Sequence, residues 1–216
     1  MIQEYIQFLS ELKNNNNREW FATHKTQYQA IHAKYILWVE ELLSKMIDMD
    51  SSLQLLHAKD CLFRINRDTR FSNDKSPYKT KISSMFSPSG KSELSCGYYF
   101  EIDSTGQLMI GGGRHFLAPQ ELFRVRKLLL EDPIELRQVL ANNLFKNTFG
   151  GLSGVQLKTH PKGFSPESPN LDLLKYKNYI ATTTLSIAGK SDEEIADFIL
   201  SIFTVVKPLI TLLHSL

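Results

Sequence analysis

Arg64, Arg67, Arg70, Lys75, Lys79 and Lys81 crowd into one stretch, where only Asp68 and Asp74 oppose them. Arginine's planar fork grips a carboxylate or a phosphate through two parallel hydrogen bonds. Three arginines within seven residues, with Lys75 and Lys79 beside them, suit one multiply charged anion. An internal network is the rival reading. Asp68 bridging one of the arginines while Asp74 caps a turn gives the same composition. Two aspartates leave positive charge over, and like charges packed together destabilise a fold unless something compensates them. At least three of Arg64, Arg67, Arg70, Lys75 and Lys79 are therefore expected on one concave surface near Tyr78. The candidate ligand-binding set is Arg64, Arg67, Asp68, Arg70, Lys75, Tyr78 and Lys79, with Asp68 or Tyr78 placed for proton transfer.

The elements that position these residues follow from periodicity. Cys61, Phe63 and Ile65 alternate with Asp60, Leu62 and Arg64, which predicts a half-buried strand with Phe63 and Ile65 inward and Arg64 on the opposite face. Ser72-Asn73-Asp74 and Ser76-Pro77 are turn chemistry, and Pro77 biases Ser76 toward an extended backbone. The strand should empty into an ordered, positively charged loop.

The long motif Arg64-Ile65-x-Arg67-Asp68-x-Arg70-Phe71, followed by Asp74-Lys75-x-Pro77-Tyr78-Lys79, resembles the signature of a microbial conserved-hypothetical family, domain of unknown function 2461. Asn15-Asn16-Asn17-Arg18-Glu19-Trp20-Phe21 is similar too, as are Gly97-Tyr98-Tyr99-Phe100, Leu157-Lys158, Pro161-Lys162-Gly163-Phe164 and Leu174-Lys175-Tyr176-Lys177-Asn178. The resemblance covers nearly the whole chain and brings no activity, cofactor or residue role with it.

At 216 residues the chain is long enough for one sizeable core, and a single domain over 1–216 is expected. With 42% hydrophobic and 22% charged residues it has an ordinary globular balance. Net charge is only +2, so attraction for an anionic partner must be local. Cys61 and Cys96 lie in apolar segments, which predicts reduced, buried thiols and a reducing compartment, the cytoplasm. No basic start precedes an apolar run, and no apolar stretch approaches the roughly 20 residues of a membrane helix, so neither a signal peptide nor a membrane partner is expected.

Apolar spacing predicts a first helix from Ile2 to Lys13. Asn16 with Glu19 suits a capping box for a long helix running from Glu19 to about Asp48, striped by Trp20, His24, Tyr28, Ile31, Tyr35, Trp38, Leu42 and Met46. Strands follow around Ile82–Phe86, Tyr98–Ile102 and, after the turn Ser104-Thr105-Gly106, Gln107–Ile110. Gly111-Gly112-Gly113-Arg114 should end this meander as a tight bend, with an anion nest as its rival reading. Helices from Pro119 and Asp132, short strands at Val155–Thr159 and Ile180–Ile187, and a helix capped by Ser191 and Glu194 complete the chain. Pro208 should kink or end that helix. Phe63, Ile65, Tyr98, Phe100 and Ile102 are expected in one core with Trp20, Tyr28 and Trp38. The fold class is α+β: an antiparallel meander sheet packed against a long N-terminal helix and a C-terminal amphipathic helix.

The six histidines carry no ligating spacing, and Glu101-x-Asp103 reads better as a solvated sheet face than as a cation site, so neither metal nor cofactor is expected. Three readings of function remain open. One is an anionic small molecule held by the basic loop, for binding or for an enzymatic step. A second is nucleic acid, with Tyr78 or Phe71 stacking on a base. A third is an acidic protein surface docked on the loop. The oligomeric state is not legible.

Overall fold

The computed structural model describes residues 1–92 and 96–216. The described helices include α1 (Ile2–Asn14), α2 (Arg18–Thr23), α3 (Lys25–Met49), α4 (Ala58–Cys61), α5 (Pro119–Glu131), α6 (Ile134–Ala141), α7 (Asn143–Phe149), α8 (Leu171–Leu174) and α9 (Asp192–Ser215). Strands β1 (Lys81–Phe86), β2 (Cys96–Asp103), β3 (Gln107–Arg114) and β4 (Tyr179–Ser186) form one antiparallel sheet in that order. The chain is α+β, as its element order foretells. It divides into two compact units. The first is Met1–Lys91, Tyr99–Ile110 and Thr184–Leu200, and the second is Ser92–Tyr98, Gly111–Thr183 and Ser201–Leu216.

In the first unit the core is a set of stripes. Ile2, Tyr5, Phe8, Leu9 and Leu12 bury one face of α1, and Ile31, Tyr35, Trp38, Leu42 and Met46 bury one face of α3. Tyr5 and Tyr35 meet edge to face at 5.5 Å. Trp38 meets Phe100 of β2 at 6.1 Å, and the Tyr35 hydroxyl shares a buried 2.8 Å hydrogen bond with Ser84 of β1. Each such side chain contributes about 1.5–3 kcal/mol by leaving water. Ile65, Phe100 and Ile102 are buried here as well, but Phe63, Trp20 and Tyr28 are only half-buried, so the expected core is narrower than its sequence pattern. Phe63 turns its ring to Tyr99 instead, at 6.2 Å.

Two expectations about the first helices are corrected. The cap of α2 is Asn17, whose side chain accepts from the Trp20 amide at 2.8 Å, and not Asn16. The long helix also breaks at His24, where φ is −103° and ψ is 9°. There the imidazole stacks on Trp20 at 3.9 Å, and the ring holds the turn that separates α2 from α3. His32 is equally occupied, with its Nδ1 3.1 Å from the Tyr5 hydroxyl.

In the second unit the glycine triplet is strand, not bend or nest. A Cβ on Gly111 would stand 1.9 Å from the Ala181 carbonyl oxygen, and one on Gly113 would stand 2.2 Å from that of Tyr179. On Gly112 it would meet Ile210 of α9 at 2.7 Å. Bare backbone lets β3 lie flush between β4 and the helix, so the strand runs on to Arg114.

Helix α9 keeps its predicted cap and departs from expectation in its apolar length. Ser191 and Glu194 do form the predicted reciprocal cap, at 2.7 and 3.2 Å. Pro208 does not end the helix, which continues to Ser215. An interior proline costs about 3 kcal/mol, which the burial of Val206, Leu209 and Ile210 around it outweighs. The helix is also long and apolar enough, by length and composition alone, to cross a membrane. Polar residues spaced along it hid that length from a search for an uninterrupted apolar run. Phe203 packs on Tyr98 of β2 at 5.1 Å.

Candidate functional site

The basic stretch is built from its two flanks inward. Residues 62–67 run antiparallel to 77–84 through isolated bridges and form no strand of their own, which corrects the predicted strand. Leu62 bridges Ser84, Asn66 bridges Tyr78, and the register slips by two residues between these bridges. Ile65 is buried and Arg64 exposed, so the predicted alternation holds at those two positions. Arg67 donates its amide to the Pro77 carbonyl at 2.9 Å, and Lys79 donates to that of Ile65 at 2.8 Å. These two bonds leave the N–H and C=O of Tyr78 pointing the other way.

Asn16 meets both. Its Nδ2 donates to the Tyr78 carbonyl at 3.0 Å, and its Oδ1 accepts from the Tyr78 amide at 3.1 Å. A carboxamide carries one donor and one acceptor side by side, as a peptide does, so Asn16 acts as a one-residue neighbouring strand. The Tyr78 ring is buried and stacks on Phe21 at 4.0 Å. That ring is therefore not available to stack on a base.

Between the flanks the loop is tied internally. Asp74 accepts from the Ser76 hydroxyl at 2.5 Å and from the Ser76 amide at 2.9 Å, the predicted turn cap, and pairs with Arg67. These hydrogen bonds hold its carboxyl well below the usual carboxylate range. Asp68 takes Arg70 in a fork, at 2.6 and 3.0 Å, which brings its pKa down to about 2. Lys75 has no such partner among the described residues: its Nζ donates to the Thr69 carbonyl at 3.0 Å.

The candidate residues do not all converge. Arg67, Lys75 and Tyr78 line a cleft of about 360 Å3 together with Asn66, Thr69 and Pro77. Its other wall is the start of α2: Asn16, Asn17, Arg18 and Glu19. Two of the five expected cations are present, and Arg18 supplies a third that the sequence reading missed. Its signal was visible, since Arg18 directly follows the asparagine run in the segment Asn15–Phe21. Among the described residues no carboxylate pairs with Arg18 or Lys75, so these two cations and the Asp74-paired Arg67 face the cleft against Glu19.

Arg64 and Lys79 belong elsewhere. Lys79 holds its ammonium 5.5 Å over the Phe63 ring, and burial, followed by nearby Arg64 and Lys81, lowers its pKa. Lys81 pairs with Glu101 at 2.7 Å, and Tyr99 donates to the same carboxylate at 2.8 Å. Asp103 is spent on the hairpin, accepting from Thr105 and Gln107 amides at 2.7 and 3.0 Å. Glu101 and Asp103 thus have separate partners, and among the described residues no cluster of His, Cys, Asp and Glu could hold a metal. Arg70 and Asp68 stay exposed beside Phe71, which is 95% exposed.

Cys61 and Cys96 are free and buried, and burial pushes each thiol up to about 12. Compared with curated proteins and with solved structures, the chain finds no match. The model of the family described as conserved hypothetical protein (DUF2461) matches residues 4–212, and the chain belongs to that family.

Proposed function

We propose that the protein binds a small molecule bearing phosphate or carboxylate in the cleft between the basic loop and the start of α2. One observation carries this reading. Arg18, Lys75 and the Asp74-paired Arg67 share a cleft of about 360 Å3 in which, among the described residues, Glu19 is the one acidic lining residue. A cleft lined by one sign of charge attracts its counter-ion, and the amides of Asn16, Asn17 and Asn66 add uncharged donors. Arg67 is held in place by Asp74, so it would meet an anion without first being ordered. The free, buried thiols accord with a cytoplasmic setting.

A second reading, nucleic acid or a protein partner, has one observation in its favour. Phe71 is 95% exposed, with the Arg70 guanidinium 5.8 Å from its ring centre. Stacking on that ring would tolerate any base.

A thermal-shift screen with phosphate, nucleotides, dicarboxylates and a single-stranded oligonucleotide, at equal ionic strength, separates the two. Occupancy at 100 times the dissociation constant stabilises by about 2.7 kcal/mol. At about 2–4 °C per kcal/mol for a chain of this size, that is a shift of roughly 5–11 °C. The proposal expects it with a small anion. A response to the oligonucleotide alone, lost in Phe71→Ala, would favour the second reading instead.

A further inference from the structure

A second cleft, of about 400 Å3, opens within the second unit. Leu122 and Arg126, one helical turn apart on α5, form one side, and Phe116 and Leu117 come from the link between β3 and α5. The other side carries Val155, Leu157 and Lys177, where an isolated antiparallel bridge, Gln156 to Tyr176, stands in place of the strand predicted at Val155–Thr159. Leu157 donates its amide to the Lys175 carbonyl at 2.8 Å, and Lys177 donates to that of Val155 at 2.7 Å.

Arg126 is the unusual member. It is 9% exposed, and its Nη2 donates to the Tyr176 carbonyl at 3.0 Å. Its Nε is buried without an acceptor. Among the described residues no carboxylate stands within ion-pair distance of it. Its neighbours in the same unit are matched: Arg114 pairs with Glu121 at 2.7 Å and Arg137 with Asp172 at 2.6 Å. A charge taken out of water with nothing opposite it is costly, and a bound anion removes that cost. Among the described residues no acidic side chain lines the cleft, Lys177 adds a cation to its lining, and Phe116 and Val155 leave apolar surface open to water there, 45% and 58% exposed.

We propose that this cleft binds a small amphipathic carboxylate, its charged end against Arg126 and its apolar body along Phe116, Leu122, Val155 and Leu157. The cleft volume lies within the range of small-molecule sites, which are mostly apolar with a few polar groups fixing orientation. A single guanidinium with one donor already committed matches one negative charge. The ligand class therefore differs from the polar, multiply charged one proposed for the loop cleft.

Titration calorimetry with sodium octanoate tests this, with octan-1-ol and inorganic phosphate as comparisons. Octanoate should bind saturably, at least tenfold tighter than octanol, and phosphate should not displace it. Val155→Asp places a carboxylate at an exposed position on the mouth and should weaken octanoate at least tenfold. It should leave any phosphate response of the loop cleft unchanged, so the two sites fail separately. Arg126→Gln should also lose octanoate, and if that variant does not fold, Val155→Asp decides. Absence of saturable binding, equal affinity for octanol, displacement by phosphate, or wild-type affinity in Val155→Asp would each overturn the proposal.

Discussion

Replacing Asn16 with alanine should separate the two roles that sequence and structure give its short polar run. The carboxamide makes two hydrogen bonds to the Tyr78 backbone, at 3.0 and 3.1 Å. Each is worth about 0.5–1.5 kcal/mol net, so their loss costs about 1–3 kcal/mol. Tyr78 is 8% exposed, so water replaces the lost partners poorly and the cost should fall in the upper half of that range. At about 2–4 °C per kcal/mol, the melting temperature should drop by roughly 4–12 °C in a circular-dichroism melt. Asn17→Ala is the natural comparison, because it removes only a helix cap, worth about 1 kcal/mol. Asn16→Asp keeps the acceptor for the Tyr78 amide but sets a carboxylate against the Tyr78 carbonyl, and should fall near Asn16→Ala. If Asn16→Ala melts no lower than Asn17→Ala, the reasoning that Asn16 stands in for a neighbouring strand is wrong.

Other outcomes follow from single observations. Gly111→Ala must push its new Cβ away from the Ala181 backbone, 1.9 Å distant, and should cost about 1–3 kcal/mol or more; a melt like that of wild type would refute the flush packing. The Asp68 carboxyl, lowered from 3.8 to about 2, contributes its full stabilisation above about pH 4 and loses it as pH falls toward 2. The Arg70 amide, which donates to it at 3.2 Å, should therefore titrate near 2 in an NMR pH series, and Arg70→Ala should move the Asp68 midpoint back toward 3.8. Cys61 and Cys96, buried and pushed to about 12, should resist a disulfide reagent near neutral pH in the native protein and both react once it is unfolded.

Local patterns carried most of the architecture, and the failures came where distant parts of the chain meet. Alternation from Tyr98 along β2 and the stripe on α3 are intrinsic to those segments, so their burial was legible, whereas β1 buries Ser83 between Ile82 and Ser84 and breaks its predicted alternation. The strand extent of Gly111, Gly112 and Gly113 was not, because the reason for bare backbone there is Ala181, Tyr179 and Ile210, far along the chain. Asn16 and Asn17 are both good caps, and only the position of Tyr78 assigns one to the helix and the other to the loop. The basic stretch was read as one site because charge was counted along the sequence. Arg64 and Lys79 fall outside the cleft, Lys79 with its ammonium over the Phe63 ring, while Arg18, forty-odd residues earlier, completes it. Arg126 gave no signal at all, since an arginine on an amphipathic helix looks solvated until its neighbours are known.

The loop cleft is most directly tested by titrating inorganic phosphate into isotope-labelled protein at constant ionic strength and following the amides of Asn16, Thr69, Lys75 and Tyr78. Saturable shifts at these residues are predicted in the wild type, with loss of saturation in Arg67→Ala. Arg18→Ala, which breaks no ion pair among the described residues, should weaken phosphate while leaving the loop's own contacts intact. Shifts that never saturate, that centre on Arg64 and Lys79 instead, or that survive in both variants would contradict an anion site at this cleft.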